Sequence, residues 1–263
     1  MSGHFLKIYA TGEGPTLLFI HGLGSSRRCW DLVVNALSHE FHCCTLDLYG
    51  HGGNRNMPES ISIQQTAAEL DQILRTVKWK PAAIIGHSLG GLVAVQLTLQ
   101  QPDCADQLVL VDTPTRQVQL GFLKKMVLST LRKNFQKAVT KQYSRMTRDK
   151  DLRKELIASA LTTEHTAYLK YMQSLLNTDL SDCIRDIHQP VHAWMTRSLA
   201  PDRPTLGKVL KQYGYGHLPE EYRHHTPDAG HFVMLEQPAI FVQELKQIVN
   251  QHVHSQSGVN GSD

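Results

Sequence analysis

The sequence predicts an α/β fold: a doubly wound, mostly parallel β-sheet with helices on both faces. Short apolar runs typical of buried strands alternate with longer segments in which apolar residues recur every three or four positions, as in helices. The chain has 263 residues, of which 41% are hydrophobic and 19% charged, so it can bury one large core. Between residues 113 and 187 the alternation lapses into consecutive helical patterns, which predicts an inserted helical segment.

The predicted strands and helices follow one another along the chain. Short, mostly apolar runs mark the strands, of which the last two are the weakest: TLLFIHG (16–22), the start of HCCTLDLYGHGGN (42–54), the run from Ala82, QLVLVDTP (107–114), PVHAWMT (190–196) and EYRHHTP (221–227). The helices predicted outside the insertion are 30–37, 62–77, the segment after Ser88, and 238–249, which has a proline in its first turn.

These elements divide the chain into a core, an insertion and a tail. We expect residues 1–112 and 188–252 to form the α/β core and residues 113–187 to be inserted after the sixth strand. The polar, Gly- and Ser-rich end of the chain predicts a flexible tail over 253–263.

Composition argues against several classes of protein. A net charge of +3 is too small to indicate nucleic-acid binding. The start of the chain lacks a basic region followed by an apolar stretch, and no apolar run approaches the ~18 residues of a membrane span. Five cysteines without a C-x-x-C pair favour a reduced, cytoplasmic protein.

The 15 histidines do not predict a metal site. None forms the H-E-x-x-H pattern of zinc enzymes. The pairs at 224–225 and in HVH (252–254) have adjacent or alternating spacing, so we expect no metal there.

A serine stands between two glycines where a predicted strand meets a predicted helix. Gly86-His87-Ser88-Leu89-Gly90 fits G-x-S-x-G, which holds a nucleophilic serine at a strained turn above the sheet. For the pentapeptide by itself, the alternative is a turn without a chemical role. Serine needs a base, and His231 lies between the last predicted strand and the last helix, which places it at the same sheet edge as Ser88.

The chain resembles the α/β-hydrolase fold family, in its serine-nucleophile, esterase- or thioesterase-like branch. The matching motifs occur in the family's order: HGLGSS (21–26), DLYGHGGN (47–54), GHSLGG (86–91), LVLVDT (108–113) and GHFVMLEQP (230–238). The resemblance implies an oxyanion hole formed by the backbone N–H groups of Leu23 and Leu89, and a helical lid over 113–187. It implies no cofactor or metal. Dehalogenases and epoxide hydrolases of this fold need a carboxylate where Ser88 stands, so the resemblance excludes these two classes of enzyme.

The acid that would orient His231 stays open between two residues. Family members most often carry it after the penultimate strand, but here Thr196 stands near the expected glycine and Leu199 near the expected Asp. Asp202 serves only if that loop is longer. The other location is the end of the preceding strand, occupied by Asp112, which we favour. Asp228 is too close in sequence to His231, and Asp47 belongs to a turn-forming Asp-x-x-Gly.

The insertion is strongly basic. Between residues 121 and 155, eleven Lys or Arg face three acids, a net charge of +8 in a chain whose total is +3. A solvated helix face explains this, but so does steering of an acidic carrier protein, a coenzyme A thioester or an anionic surface. Apolar residues that would face the cavity or a membrane are Phe122, Leu123, Met126, Val127, Leu128 and Leu131. Residues expected to wall an acyl pocket, or simply to pack the core, are Met146, Tyr168, Tyr171, Met172 and Leu175.

Three functions follow from these observations. The first is hydrolysis of a small or medium carboxylic ester through an acyl-enzyme on Ser88. The second is hydrolysis of a thioester or a carrier-protein ester, using the basic insertion. The third is a non-catalytic receptor or scaffold that keeps the fold. The substrate and the oligomeric state are not readable from the sequence.

Overall fold

The structure, a computed structural model, describes residues 6–116 and 121–257, with side chains through residue 251. Seven strands form one sheet in the order β1-β3-β2-β4-β5-β6-β7, in which β1 is antiparallel to β3 and every other neighbouring pair is parallel. The strands are β1 (Ile8–Thr11), β2 (Thr16–Ile20), β3 (His42–Leu46), β4 (Ala83–His87), β5 (Leu108–Val111), β6 (Val191–Thr196) and β7 (Arg223–Thr226).

Ten α-helices connect and cover the strands of the described residues. They are α1 (Asp31–Leu37), α2 (Ile63–Val77), α3 (Leu89–Gln100), α4 (Gly121–Lys133), α5 (Phe135–Tyr143), α6 (Lys150–Leu161), α7 (His165–Asn177), α8 (Arg203–Gln212), α9 (Val233–Glu236) and α10 (Pro238–Ser257). Helix α1 packs against α10, and α2 against α3. The chain passes from β2 to β3 in one direction along the sheet and from β3 to β4 and β5 in the opposite direction. Because each of these crossovers is right-handed, the two helix pairs cover opposite faces of the sheet.

The central strands explain why the fold class was predictable. Every residue of β4 and β5 is buried, as expected for parallel strands covered on both faces, and such strands read as continuous apolar runs. The doubly wound, mostly parallel α/β fold is therefore confirmed. The edge strand β1 went unpredicted because it has only four residues and none is fully buried.

Helices α4–α7 lie between β5 and β6, as the strandless pattern predicted. The strand before them is the fifth among the described residues, not the expected sixth. Helix α10 runs to Ser257, five residues into the stretch for which a flexible tail is expected. Residues 258–263 lie outside the described part of the chain.

Two further observations concern the whole described chain. None of its helices combines the length and the apolar character that crossing a bilayer would require. All five cysteines are free thiols, and four of them are buried.

Candidate active site

Ser88 lies at the sharp turn between β4 and α3. Its backbone has φ 52° and ψ −114°, in a region where a side chain is strained. The flanking glycines are required by space: a Cβ at Gly86 would lie 2.5 Å from the Cα of Gly91, and a Cβ at Gly90 only 2.2 Å from the carbonyl oxygen of Ile20. The motif therefore packs the turn directly against its neighbours and holds the serine at the carboxyl end of the sheet.

His231 and Asp112 are hydrogen-bonded to each other. The imidazole Nδ1 lies 2.6 Å from Asp112 Oδ2, and Asp112 is completely buried directly after β5. Its other oxygen, Oδ1, accepts the backbone N–H of Thr196 at 2.9 Å. With one oxygen fixed by the backbone and the other facing His231, the carboxylate can hold the imidazole in the tautomer that leaves Nε2 unprotonated.

The alternative acid, Asp202, has a different place. It caps the N-terminus of α8, where Oδ1 accepts the backbone N–H of Thr205 at 2.7 Å. Hydrogen bonds from Thr205 lower the pKa of this exposed carboxyl. No hydrogen bond joins Asp202 to His231 in the described structure, so Asp112 is the acid brought to the histidine. Helix α8 itself was not predicted.

The two other aspartates considered also make local contacts. Asp47 is buried and accepts the backbone N–H groups of Arg27 at 2.7 Å and Gly53 at 2.9 Å. It organises the loop after β3, as its Asp-x-x-Gly context indicated. Asp228 accepts the Arg197 guanidinium at 2.7 Å through its backbone carbonyl.

The backbone of His231 is held on both sides. Its N–H donates to the carbonyl oxygen of Met146, in the insertion, at 2.8 Å. Its own carbonyl lies 2.8 Å from Nε2 of His87, the residue before Ser88. Because a carbonyl only accepts, His87 carries its proton on Nε2. Burial lowers the pKa of His87 well below 6.5, which keeps the ring neutral. Sequence reasoning gave His87 no role.

The loop after β2 brings Leu23 to the same cavity as Ser88 and His231. His21 fixes this loop by donating from Nδ1 to Gly22 O at 2.8 Å and accepting Leu48 N–H on Nε2 at 3.0 Å. The Tyr143 hydroxyl, from α5, donates to the Leu23 carbonyl. Neither Leu23 N–H nor Leu89 N–H meets an acceptor in the described chain, so both are available to a ligand.

His51 supports the loop from behind. Its Nε2 accepts Gly24 N–H at 3.0 Å and its Nδ1 donates to Tyr49 O at 2.8 Å. Burial lowers the pKa of His51 to about 3. Like His21, it works as a neutral ring in which one nitrogen donates a hydrogen bond and the other accepts one.

Ser88 and His231 line one cavity of about 500 Å³. Its walls are mostly apolar, and of the residues expected there Val127, Met146, Met172 and Leu175 are present. No hydrogen bond connects the Ser88 hydroxyl to His231 in the described residues. A larger cavity, of about 620 Å³, contains neither residue and lies between the loop around Arg27 and α6.

Several residues expected at the cavity lie elsewhere. Tyr168 and Tyr171 are buried beside it, with their hydroxyls on Gln142 and Thr66. On α4, Phe122 is 75% exposed and Met126 49% exposed. Leu123 is exposed to a lesser degree, Leu128 packs against the core, and Leu131 is buried.

The histidine pair at 224–225 makes ordinary contacts. His224 hydrogen-bonds to His192 at 3.0 Å, and His225 to the carbonyl oxygen of Ala200 at 2.8 Å. Among the described side chains, no group of three or more His, Cys, Asp or Glu is arranged to hold a metal ion. The side chains of HVH (252–254) lie outside the described set.

Known proteins resemble this chain over most of its length or over part of it. Pimeloyl-[acyl-carrier protein] methyl ester esterase of Aliivibrio fischeri is 25% identical over 260 residues, 92% of this chain and 96% of that protein. The enzyme of the same name from Nitrosomonas europaea is 38% identical over 106 residues, 40% of each chain. Three Mycobacterium proteins are 34% identical to this chain over 113 residues, and the match spans only 33% of the length of each of those proteins.

Solved structures share the fold. A thermophilic esterase from Thermogutta terrifontis superposes with a TM-score of 0.80 at 19% identity, covering 94% of this chain and 93% of that one. Residues 17–244, which include Ser88, Asp112 and His231, match the sequence profile of the alpha/beta hydrolase family. With most of its length matched, the chain belongs to that family.

Proposed function

We propose that this protein is a serine hydrolase that cleaves a carboxylic ester through an acyl-enzyme on Ser88. In this proposal His231 is the base, Asp112 orients it, and the N–H groups of Leu23 and Leu89 form the oxyanion hole. The observation that carries the proposal is the 2.6 Å hydrogen bond between Asp112 Oδ2 and His231 Nδ1, because this histidine lines the same cavity as Ser88.

The proposed reaction has two halves. His231 Nε2 accepts the Ser88 proton as Oγ attacks the ester carbonyl, and the buried Asp112 carboxylate stabilises the imidazolium that forms. Leu23 and Leu89 N–H groups stabilise the oxyanion. His231 then protonates the leaving alcohol, and a water molecule activated by the same Nε2 releases the acid and regenerates Ser88.

The free Ser88 hydroxyl is compatible with this mechanism. Catalytic hydrogen bonds are often long or unformed without substrate and tighten in the complex. The backbone contacts of His231 to Met146 and His87 fix the base beside the cavity that Ser88 also lines. Nothing in the proposed chemistry calls for a cofactor.

Labelling with a fluorophosphonate, read by intact-protein mass spectrometry, tests the proposal. We expect one modification, on Ser88, together with hydrolysis of short p-nitrophenyl esters, and neither in Ser88→Ala. The small substitution leaves the fold intact, which circular dichroism checks. A folded wild-type protein that is neither labelled nor active contradicts the proposal and favours a receptor or scaffold that binds ligand without turnover.

A second candidate is the hydrolysis of a thioester or of an ester carried by an acidic protein. Two observations favour it: relatives named as acyl-carrier-protein methyl ester esterases, and the +8 net charge of residues 121–155. In this segment only Lys154 forms an ion pair with an acid among the described residues. Most of its cations are therefore free to attract an anionic partner.

Salt dependence separates the two candidates. Steering by exposed charges is screened over about 8 Å at physiological ionic strength. If the substrate arrives on an acidic carrier, raising the salt concentration lowers kcat/KM for the carrier-bound ester steeply and leaves kcat/KM for a neutral ester nearly constant. Equal salt responses of the two substrates contradict the carrier candidate.

A further inference from the structure

The rim of the active-site cavity carries an unpaired arginine. Arg145 follows α5 and lines both the cavity that contains Ser88 and a second, mainly apolar groove of about 360 Å³ between α4 and α5. The cavity and the groove share Val127, Gln142 and Arg145, so they adjoin at these residues. The Arg145 side chain makes no ion pair or hydrogen bond with any other described residue.

The surroundings of Arg145 offer donors and no negative charge. Gln142 uses its amide oxygen to accept the Tyr168 hydroxyl at 3.0 Å, which leaves its NH₂ group to donate. Lys141 lines the adjoining groove. No Asp or Glu is among the described residues that line the cavity or the groove. Apart from the histidines, Arg145 is the one side chain among the described lining of the cavity that can carry a positive charge.

We propose that Arg145 is a specificity-determining residue that selects esters carrying an anionic group some distance from the scissile bond. The apolar wall would take the carbon chain between the two ends, and the guanidinium would pair with a carboxylate or phosphate at the rim. This inference rests on the proposed serine hydrolase function and names the substrate class of that site. The anion can belong to the acyl end of the substrate or to its leaving group.

Matched substrate pairs separate these sources. For the acyl end, mono-p-nitrophenyl adipate is compared with p-nitrophenyl hexanoate, which replaces the far carboxylate by a methyl group. For the leaving group, hexanoyl-coenzyme A is compared with hexanoyl-N-acetylcysteamine, which lacks the phosphates. Each pair is assayed with wild type, Arg145→Gln and Arg148→Gln, the last being an exposed arginine outside both the cavity and the groove.

The expected result is a drop of about tenfold in the anionic-to-neutral ratio of kcat/KM in Arg145→Gln, in at least one pair. The pair that responds identifies the end of the substrate that Arg145 binds. Arg148→Gln is expected to keep the wild-type ratio. A change below threefold in both pairs, or an equal change in Arg148→Gln, overturns the inference.

The proposed function is read separately in the same experiment. Hydrolysis of p-nitrophenyl hexanoate and fluorophosphonate labelling of Ser88 report the serine chemistry without any anionic group. If both persist while the ratios do not respond to Arg145→Gln, the selectivity is wrong and the hydrolase stands. If both are absent in folded protein, the hydrolase is wrong and the selectivity falls with it.

Discussion

The ring of His87 donates a hydrogen bond from Nε2 to the backbone carbonyl of His231 at 2.8 Å. The two residues are 144 positions apart, and their ring centroids lie 4.5 Å from each other. His87 precedes Ser88 directly. The turn that carries the proposed nucleophile therefore also holds the loop that carries the proposed base, and a shift of one moves the other.

Removing this hydrogen bond with a side chain of similar size is expected to slow catalysis without leaving a cavity in the core. His87→Phe fills the site with a ring but cannot donate, so His231 loses one of its two backbone anchors. We expect kcat to fall by about tenfold to a hundredfold, as small misplacements of catalytic groups do, with a smaller change in KM. His87→Gln keeps a donor and is expected to recover part of kcat. Equal kcat values in the two variants would show that the hydrogen bond does not position the base.

Asp112 and Asp202 are expected to respond differently to substitution. Asp112→Asn keeps the shape but removes the charge facing His231 Nδ1, and we expect kcat and the labelling rate of Ser88 to fall by roughly three to four orders of magnitude. Asp202→Ala removes a helix cap and is expected to lower the free energy of unfolding by about 1 kcal/mol while kcat stays near wild type. Ester kinetics and urea denaturation measure both effects. A near-normal kcat in Asp112→Asn would exclude it as the orienting acid.

The backbone strain at Ser88 predicts a gain of stability when activity is lost. With φ at 52°, any residue with a Cβ is strained there, and such strain costs about 1–3 kcal/mol. Ser88→Gly relieves it, whereas Ser88→Ala removes the hydroxyl and keeps the Cβ. After the entropy cost of glycine, we expect Ser88→Gly to be about 1 kcal/mol more stable than Ser88→Ala in urea denaturation. Equal stabilities would mean that the turn holds no strain.

The buried neutral histidines predict sensitivity to acid. Burial lowers the pKa of His51 from 6.5 to about 3 in the folded protein. Below pH 6.5 the unfolded chain binds a proton at His51 that the folded chain excludes, so stability is lost as the pH falls. This one group contributes a slope approaching about 1.4 kcal/mol per pH unit.

Urea denaturation between pH 7 and pH 4 measures that slope. His51→Gln can replace both hydrogen bonds without titrating, and we expect its free energy of unfolding to fall less steeply with acid than that of wild type. His217→Gln, at an exposed position, serves as the control and is expected to keep the wild-type slope. Identical slopes in wild type and His51→Gln would contradict the prediction.

The sequence was informative wherever one residue type meets one local need. The turn at Gly86, Ser88 and Gly90 was predictable because neither glycine position has room for a side chain. Strands β4 and β5 were predictable because both faces of the sheet are covered there, which makes each strand a continuous apolar run. His231 was separable from the other histidines by its position after the last strand. Each of these patterns lies within a short segment, so it can be recognised from the sequence without the structure.

Features that depend on contacts between distant segments were not determined by the sequence. The choice between Asp112 and Asp202 depends on the path of the loop after β6, where Thr196 N–H turns to the Asp112 carboxylate and Asp202 starts a helix. The role of His87 depends on a loop that folds back from residue 231. Arg145 was counted as one of eleven basic residues, and its place at the cavity rim follows only from the packing of α5.

The hydrogen bond from His231 N–H to the Met146 carbonyl ties the insertion to the loop that carries the proposed base. The contact uses backbone atoms alone, so any residue at position 146 can supply it. Mutation can therefore rewrite the side chains of this segment, and with them the choice of substrate, while the support for the histidine is inherited unchanged. If the proposed mechanism holds, the arrangement allows new specificities to evolve without rebuilding the catalytic site.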